Sequence, residues 1–127
     1  MEKIEKYQIA IMDLIRNMAT DVSASEEEHE EIITDTLNKH YFLQWLGFNE
    51  NNRFIDKPLL HFHIKPDGKV WILANLTEED VAQELIKRGV AHDDLVIGFH
   101  PRTLRRYTGY PEVSIIILRH LLAPRFR

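Results

Sequence analysis

Apolar residues at Ile4, Tyr7, Ile11, Leu14, Ile15 and Met18 recur at the three-or-four spacing of one helical stripe, with Glu5, Lys6, Asp13 and Arg16 between them. The pattern predicts an amphipathic helix over residues 2–20, stable only when docked. The stretch 21–31, with Ser23, Ser25 and the run Glu26-Glu27-Glu28, breaks the stripe and reads as an exposed, solvated connector. Beyond it the period changes to two. Tyr41, Leu43 and Trp45 alternate with Phe42, Gln44 and Leu46, so residues 31–38 and 40–48 are predicted to form a β-hairpin about Asn38-Lys39. Both faces of its second strand are apolar, which places that strand centrally. Glu50-Asn51-Asn52 supplies the next reversal, because Asn tolerates the left-handed conformation that a tight turn needs. Pro58 cannot donate a ladder hydrogen bond and is expected at the start of the following strand or along an edge.

Leu60, Phe62 and Ile64 then point to one face and His61, His63 and Lys65 to the other, the code of a half-buried strand. Pro66-Asp67-Gly68 combines a fixed φ, a side chain that bonds its own backbone and a residue that accepts positive φ, so a hairpin leads into Val70-Trp71-Ile72-Leu73-Ala74. Thr77 has the chemistry of an N-cap, with Asp80 three residues on. It predicts a helix over 78–88 that buries Val81, Ala82, Leu85 and Ile86 and stops at Gly89. The branched run Leu95 to Phe99 is a further strand, parallel to its neighbour if it joins the same sheet, because a helix precedes it. The expected class is α+β, a four- to five-stranded, largely antiparallel sheet with an N-terminal helix and a second helix packed on it.

A chain of 127 residues fits one domain with a single core. It holds no cysteine, which excludes a disulfide scaffold, a thiolate zinc site and a cysteine nucleophile, and is compatible with a reducing compartment. No run approaches the ~20 apolar residues of a membrane span, so a cytoplasmic, soluble protein is expected. The net charge of −4 conceals an asymmetry: residues 1–99 carry 10 basic against 19 acidic side chains, whereas residues 100–127 carry 6 Arg against Glu112. The acidic body argues against general nucleic-acid binding, which needs a basic face. The tail from Ser114 to Leu122 is too apolar for a free end, and its packing is expected to be on the domain or on another subunit.

Candidate chemistry is sparse. His61 and His63 share a strand face about 7 Å apart, a spacing at which two imidazoles can share a metal. A transition metal wants a third ligand, which only the fold can recruit from His40, His100 or an acid. Otherwise the pair is the polar face of the sheet or lines an interface. His100 lies between an apolar strand and Pro101, where a helix over 101–107 can begin, and with Arg105 and Tyr107 forms a cluster at a strand-to-helix junction. Its structural reading is a backbone cap. No nucleophile, base and orienting group assemble from the sequence, and without a glycine-rich phosphate loop no nucleotide or other cofactor is assigned. Glu78-Glu79-Asp80 sits at a helix start and complements its dipole.

Four segments in one register carry a family resemblance. They are His40-Tyr41 through Gly47-Phe48; Leu60 through Ile64 with Asp67-Gly68-Lys69-Val70-Trp71-Ile72; Thr77-Glu78 through Glu84-Leu85 with Gly89-Val90; and Asp94-Leu95-Val96 through Gly98-Phe99-His100-Pro101 with Arg105, Tyr107 and Thr108. Together they resemble the XisI-like family, the fdxN element excision controlling factor proteins of cyanobacteria. The resemblance covers residues 1–110 as a single domain and leaves 111–127 as an extension of unknown role. It implies a non-enzymatic accessory protein that acts through protein contacts in control of DNA element excision, with a XisH-like protein as partner and the recombinase and nuclease activities in other chains. Trp45, Trp71 and the tail add apolar surface and the expectation of a homo-oligomer. Two readings from other classes stand beside it: a small metal-dependent hydrolase using His61, His63 and His100, and a DNA-binding factor using Arg102, Arg105, Arg106, Arg125 and Arg127.

Overall fold

The computed structural model describes residues 2–19, 27–100 and 108–111. Helix α1 (Lys3–Met18) is followed by strands β1 (Glu28–Asp35), β2 (His40–Phe48), β3 (Phe54–Ile64) and β4 (Val70–Asn75), helix α2 (Val81–Lys87), a 3-10 turn (His92–Asp94) and β5 (Leu95–Ile97). The strands form one sheet in the order β1-β2-β3-β4-β5. The first four pair antiparallel through successive hairpins, and β5 pairs parallel with β4 because the chain returns through α2. The fold is therefore α+β with five strands, as the alternation implied.

Both helices lie on one face of the sheet. Tyr7, Ile11, Leu14 and Ile15 of α1 and Val81, Ala82 and Leu85 of α2 pack with Tyr41, Leu43, Leu60, Phe62, Ile64, Val70, Ile72 and Leu95 into one core. Burying an aliphatic or aromatic side chain of this size contributes roughly 1.5–3 kcal/mol, so this face carries most of the stability. A polar clasp closes its margin. Tyr7 donates to Asp94 at 2.5 Å and accepts from the Ala91 amide at 3.2 Å, while Lys3 pairs with Asp94 at 3.0 Å.

The structure corrects the element boundaries at five places. β1 starts at Glu28, inside the expected connector, because β2 runs on to Gly47 and offers partners for every residue back to Glu28, and Trp45 Nε1 donates to Glu28 at 3.3 Å. The reversal is a four-residue turn, 36–39, in which Lys39 takes the positive φ of 60° and the Asp35 carboxylate accepts from the Leu37 and Asn38 amides. Pro58 lies inside β3, opposite Gln44, where the register shifts and Leu59 has no opposite number. A bulge is the third place in a sheet where a missing N–H does no harm. Helix α2 begins at Val81 with Asp80 as N-cap, its side chain accepting from the Gln83 amide at 3.1 Å. Thr77 is diverted instead: its hydroxyl bonds Asn75 Oδ1 at 2.6 Å and accepts from the Glu79 amide at 3.2 Å, a local turn that competes with the helix. The last strand stops at Ile97, and Gly98 donates to the Ile72 carbonyl at 2.8 Å as the chain turns away.

Gly47 is the residue on which the β1–β2 pairing depends. Its φ is +129°, and a Cβ there would fall 1.6 Å from the Glu27 carbonyl oxygen, which accepts the Phe48 amide at 2.8 Å. Gly47→Ala is expected to lower stability in chemical denaturation by at least about 2 kcal/mol, since strain and overpacking add. Asp80→Ala, which removes only a cap, is expected to cost about 1 kcal/mol.

Candidate functional site

The face of the sheet turned away from both helices is built by registry. His40 pairs with His63, His63 with Trp71 and Trp71 with Val96, so these four side chains cross β2, β3, β4 and β5 in one row. The next row pairs Phe42 with His61. The rings meet across the strands: His40 stacks on His63 with centroids 3.8 Å apart and planes 16° from parallel, and Phe42 stacks on His61 at 4.0 Å and 22°. A diagonal hydrogen bond of 2.9 Å joins His40 Nδ1 to His61 Nε2. At the far end of the row the Lys65 ammonium sits 3.9 Å from the centroid of the Trp71 ring, a cation–π contact across the β3–β4 turn. Trp71 and Val96 are buried there with Leu73 against them, apart from the main core.

Crowding makes His61 and His63 poor bases. Burial, then the neighbouring His40 and His63, push the His61 imidazole down to about 4. His63 is lowered by burial, His40 and Lys65, against the opposing pull of a hydrogen bond to the Asn38 main chain. The carboxylate next to the row is Asp35, paired with His40 across β1–β2 and held below its ordinary range by its bonds to Asn38, then to Leu37, and by the nearby His40.

Of the residues singled out in the sequence, the fold brings together His61, His63 and His40. It does not bring His100 to them. His100 lines a separate cavity of about 460 Å³ with Asn75, Asp80, Phe99 and Thr108, floored by Ile72 and Ile97 from the helix-packed core. Among the described residues no three His, Cys, Asp or Glu side chains are arranged to hold a metal. His40 turns its ring face to His63 and its Nδ1 to His61, so the lone pairs do not converge on one point. Arg102, Arg105, Arg106, Tyr107, Arg125 and Arg127, and with them the helix expected over 101–107 and the apolar tail, lie outside the described residues. Sequence reasoning passed over Phe42 as a partner of His61 and Lys65 as a partner of Trp71. The signal for the Lys65 contact lies in the sequence, since Lys65 and Trp71 flank the Pro66-Asp67-Gly68 turn.

The same face continues into exposed apolar surface. Phe48 and Phe54 pair at the end of the β2–β3 hairpin, edge to face at 5.2 Å, and remain 51% and 60% exposed; Ile33, opposite Phe42, is 41% exposed.

The family described as XisI protein matches residues 1–111. The chain belongs to the XisI family. A solved structure of a XisI-like protein from Anabaena variabilis is 34% identical, covers 87% of this chain and 99% of its own length, and superposes with a TM-score of 0.78. A second, the fdxN element excision controlling factor XisI from the same organism, is 22% identical, covers 86% of this chain and 97% of its own, and has a TM-score of 0.74, a likeness of fold. No curated protein matches the chain. Among the described residues no helix is long and apolar enough to cross a membrane.

Gly98 is a steric requirement of the row. A Cβ there would meet Leu73 Cδ2 at 2.8 Å and Trp71 Cε3 at 2.9 Å. Gly98→Ala is expected to cost about 1–3 kcal/mol in denaturant titration and to shift the Trp71 fluorescence maximum, because the indole must give way. Unchanged stability and emission would show that the row is loosely packed.

Proposed function

We propose that this chain is a non-enzymatic accessory factor in control of DNA element excision, and that it acts by presenting the sheet face opposite its helices to other proteins. The observation that carries the reading is the exposed Phe48–Phe54 pair at the hairpin end, with Ile33 exposed opposite Phe42, all on the same face as the imidazole row. Large aromatic side chains left exposed together on a sheet face are an ordinary mark of a protein contact site. Membership of the XisI family, which includes an fdxN element excision controlling factor of known structure, supports the process. A XisH-like protein is the partner this reading names, and self-association is its second use of the surface.

Co-expression of the full chain with a XisH-like protein, followed by affinity capture at pH 7.5, is expected to recover a complex. The double change Phe48→Ser and Phe54→Ser is expected to weaken it by roughly 30-fold, the loss of about 2 kcal/mol that a buried aromatic anchor typically supplies. Absence of a complex from the wild-type chain would refute the proposed partner, and an unaffected double variant would move the contact to another surface.

A further inference from the structure

We propose that the His40–His61–His63 cluster is a proton-operated latch that holds β2 to β3 on the contact face and releases the face for rearrangement when a second proton enters it. The inference rests on the contact reading for its use, but its chemistry stands on geometry alone. At 2.9 Å between His40 Nδ1 and His61 Nε2, one ring must donate an N–H and the other must accept it with a lone pair. One proton beyond neutrality is tolerated, because an imidazolium still donates to a neutral ring. A second is not, since two N–H groups would then face each other. His63, stacked at 3.8 Å on His40, adds a third ring whose charge would lie against the same pair.

The charged groups around the cluster reinforce the limit. From β1, Asp35 lies opposite His40, and His29 and Glu31 pair with each other at 3.2 Å farther along the strand. From β2 and β3, Gln44 engages Asp56 at 2.7 Å, one turn of the ladder away. The turns contribute Lys39 and Lys65, and Lys65 acts directly against a charge on His63. β4 and β5 present Trp71, Leu73 and Val96. Asp35 is thus the single carboxylate placed against the cluster among the described residues, enough to balance one cation. Opening the latch unstacks Phe42 from His61 and adds positive charge to a packed aromatic row.

The direction of the pH effect follows. An unfolded histidine titrates near 6.5, whereas His61 in the fold holds its proton only below about 4. Between these values the folded chain binds fewer protons than the unfolded one. Stability is therefore complete above about pH 6.5 and lost progressively as pH falls toward 4.

The test uses the full chain without a partner. Guanidinium unfolding of the wild type at pH values from 7.5 to 4.5 is expected to show the unfolding constant rising by up to ~10-fold per pH unit for each proton excluded. His61→Phe keeps the stack on Phe42 and removes the hydrogen bond, and is expected to flatten that dependence by about one proton. If His61→Phe does not fold, NMR titration of the wild-type imidazole ring protons decides, with His61 expected to titrate below pH 5 and in step with a shift of Phe42. Equal pH dependence in wild type and His61→Phe, or three independent ring titrations near pH 6.5, would overturn the latch. The XisH-like capture separates this from the contact reading: no complex at pH 7.5 defeats the contact reading while the partner-free measurements still judge the latch. A complex as tight at pH 5 as at pH 7.5 defeats the regulation while the contact stands.

Discussion

The fold hangs on the register of β3. Leu60, Phe62 and Ile64 are wholly buried under the two helices, and because side chains alternate, the same placement sends His61 and His63 to the opposite face. A slip of one residue would put two imidazoles into the helix-packed core and three large apolar groups into the row. Such a slip would cost several kcal/mol in unsatisfied polar groups and lost burial. The bulge at Leu59 makes the register possible: it absorbs one residue where Pro58 has no N–H to offer, so the alternation is correct where the core needs it.

The two faces are stabilised by different physics. Toward the helices the sheet is dry and aliphatic, and area burial decides. On the other side the contacts are ring on ring, with the His40–His61 bond satisfying nitrogens that half-burial would otherwise penalise. Neutral, hydrogen-bonded imidazoles are tolerated there, and depression of His61 to about 4 measures the price the surroundings set on charging it. The Lys65–Trp71 contact closes the row with an ammonium held over the indole.

What could be read from the chain beforehand was whatever local rules decide. The stripe of α1, the strand at Leu60–Ile64, the turn closed by Gly68 at a φ of 86° and the stop at Gly89 each follow from residues a few positions apart. The parallel β5 followed from its intervening helix. What could not be read was decided by partners far along the sequence. The acidic residues Glu28, Glu30 and Glu31 look like a loop until β2 is laid beside them. Thr77 and Asp80 are both competent caps, and the choice falls to Asp80 because Asn75 takes the Thr77 hydroxyl. The histidine cluster is the sharpest case: His61 and His63 are legible as one face, but the ring that joins them stands 21 residues from His61 and arrives only through the β2–β3 register.

The geometry of that cluster bears on what its imidazoles can do chemically. A catalytic imidazole needs a lone pair or a proton aimed into open space and a titration near the working pH. Here His40 Nδ1 and His61 Nε2 are committed to each other, and His61 is driven far below neutrality. If stability alone governed the face, aliphatic residues at positions 40, 61 and 63 would serve it better, since replacing buried polar networks with packed apolar groups is commonly neutral or favourable. A leucine row would, however, add to the exposed apolar surface of Ile33, which lies opposite Phe42. Imidazoles keep the row aromatic and packed and separate it in chemistry from the exposed Phe48–Phe54 pair at the hairpin end.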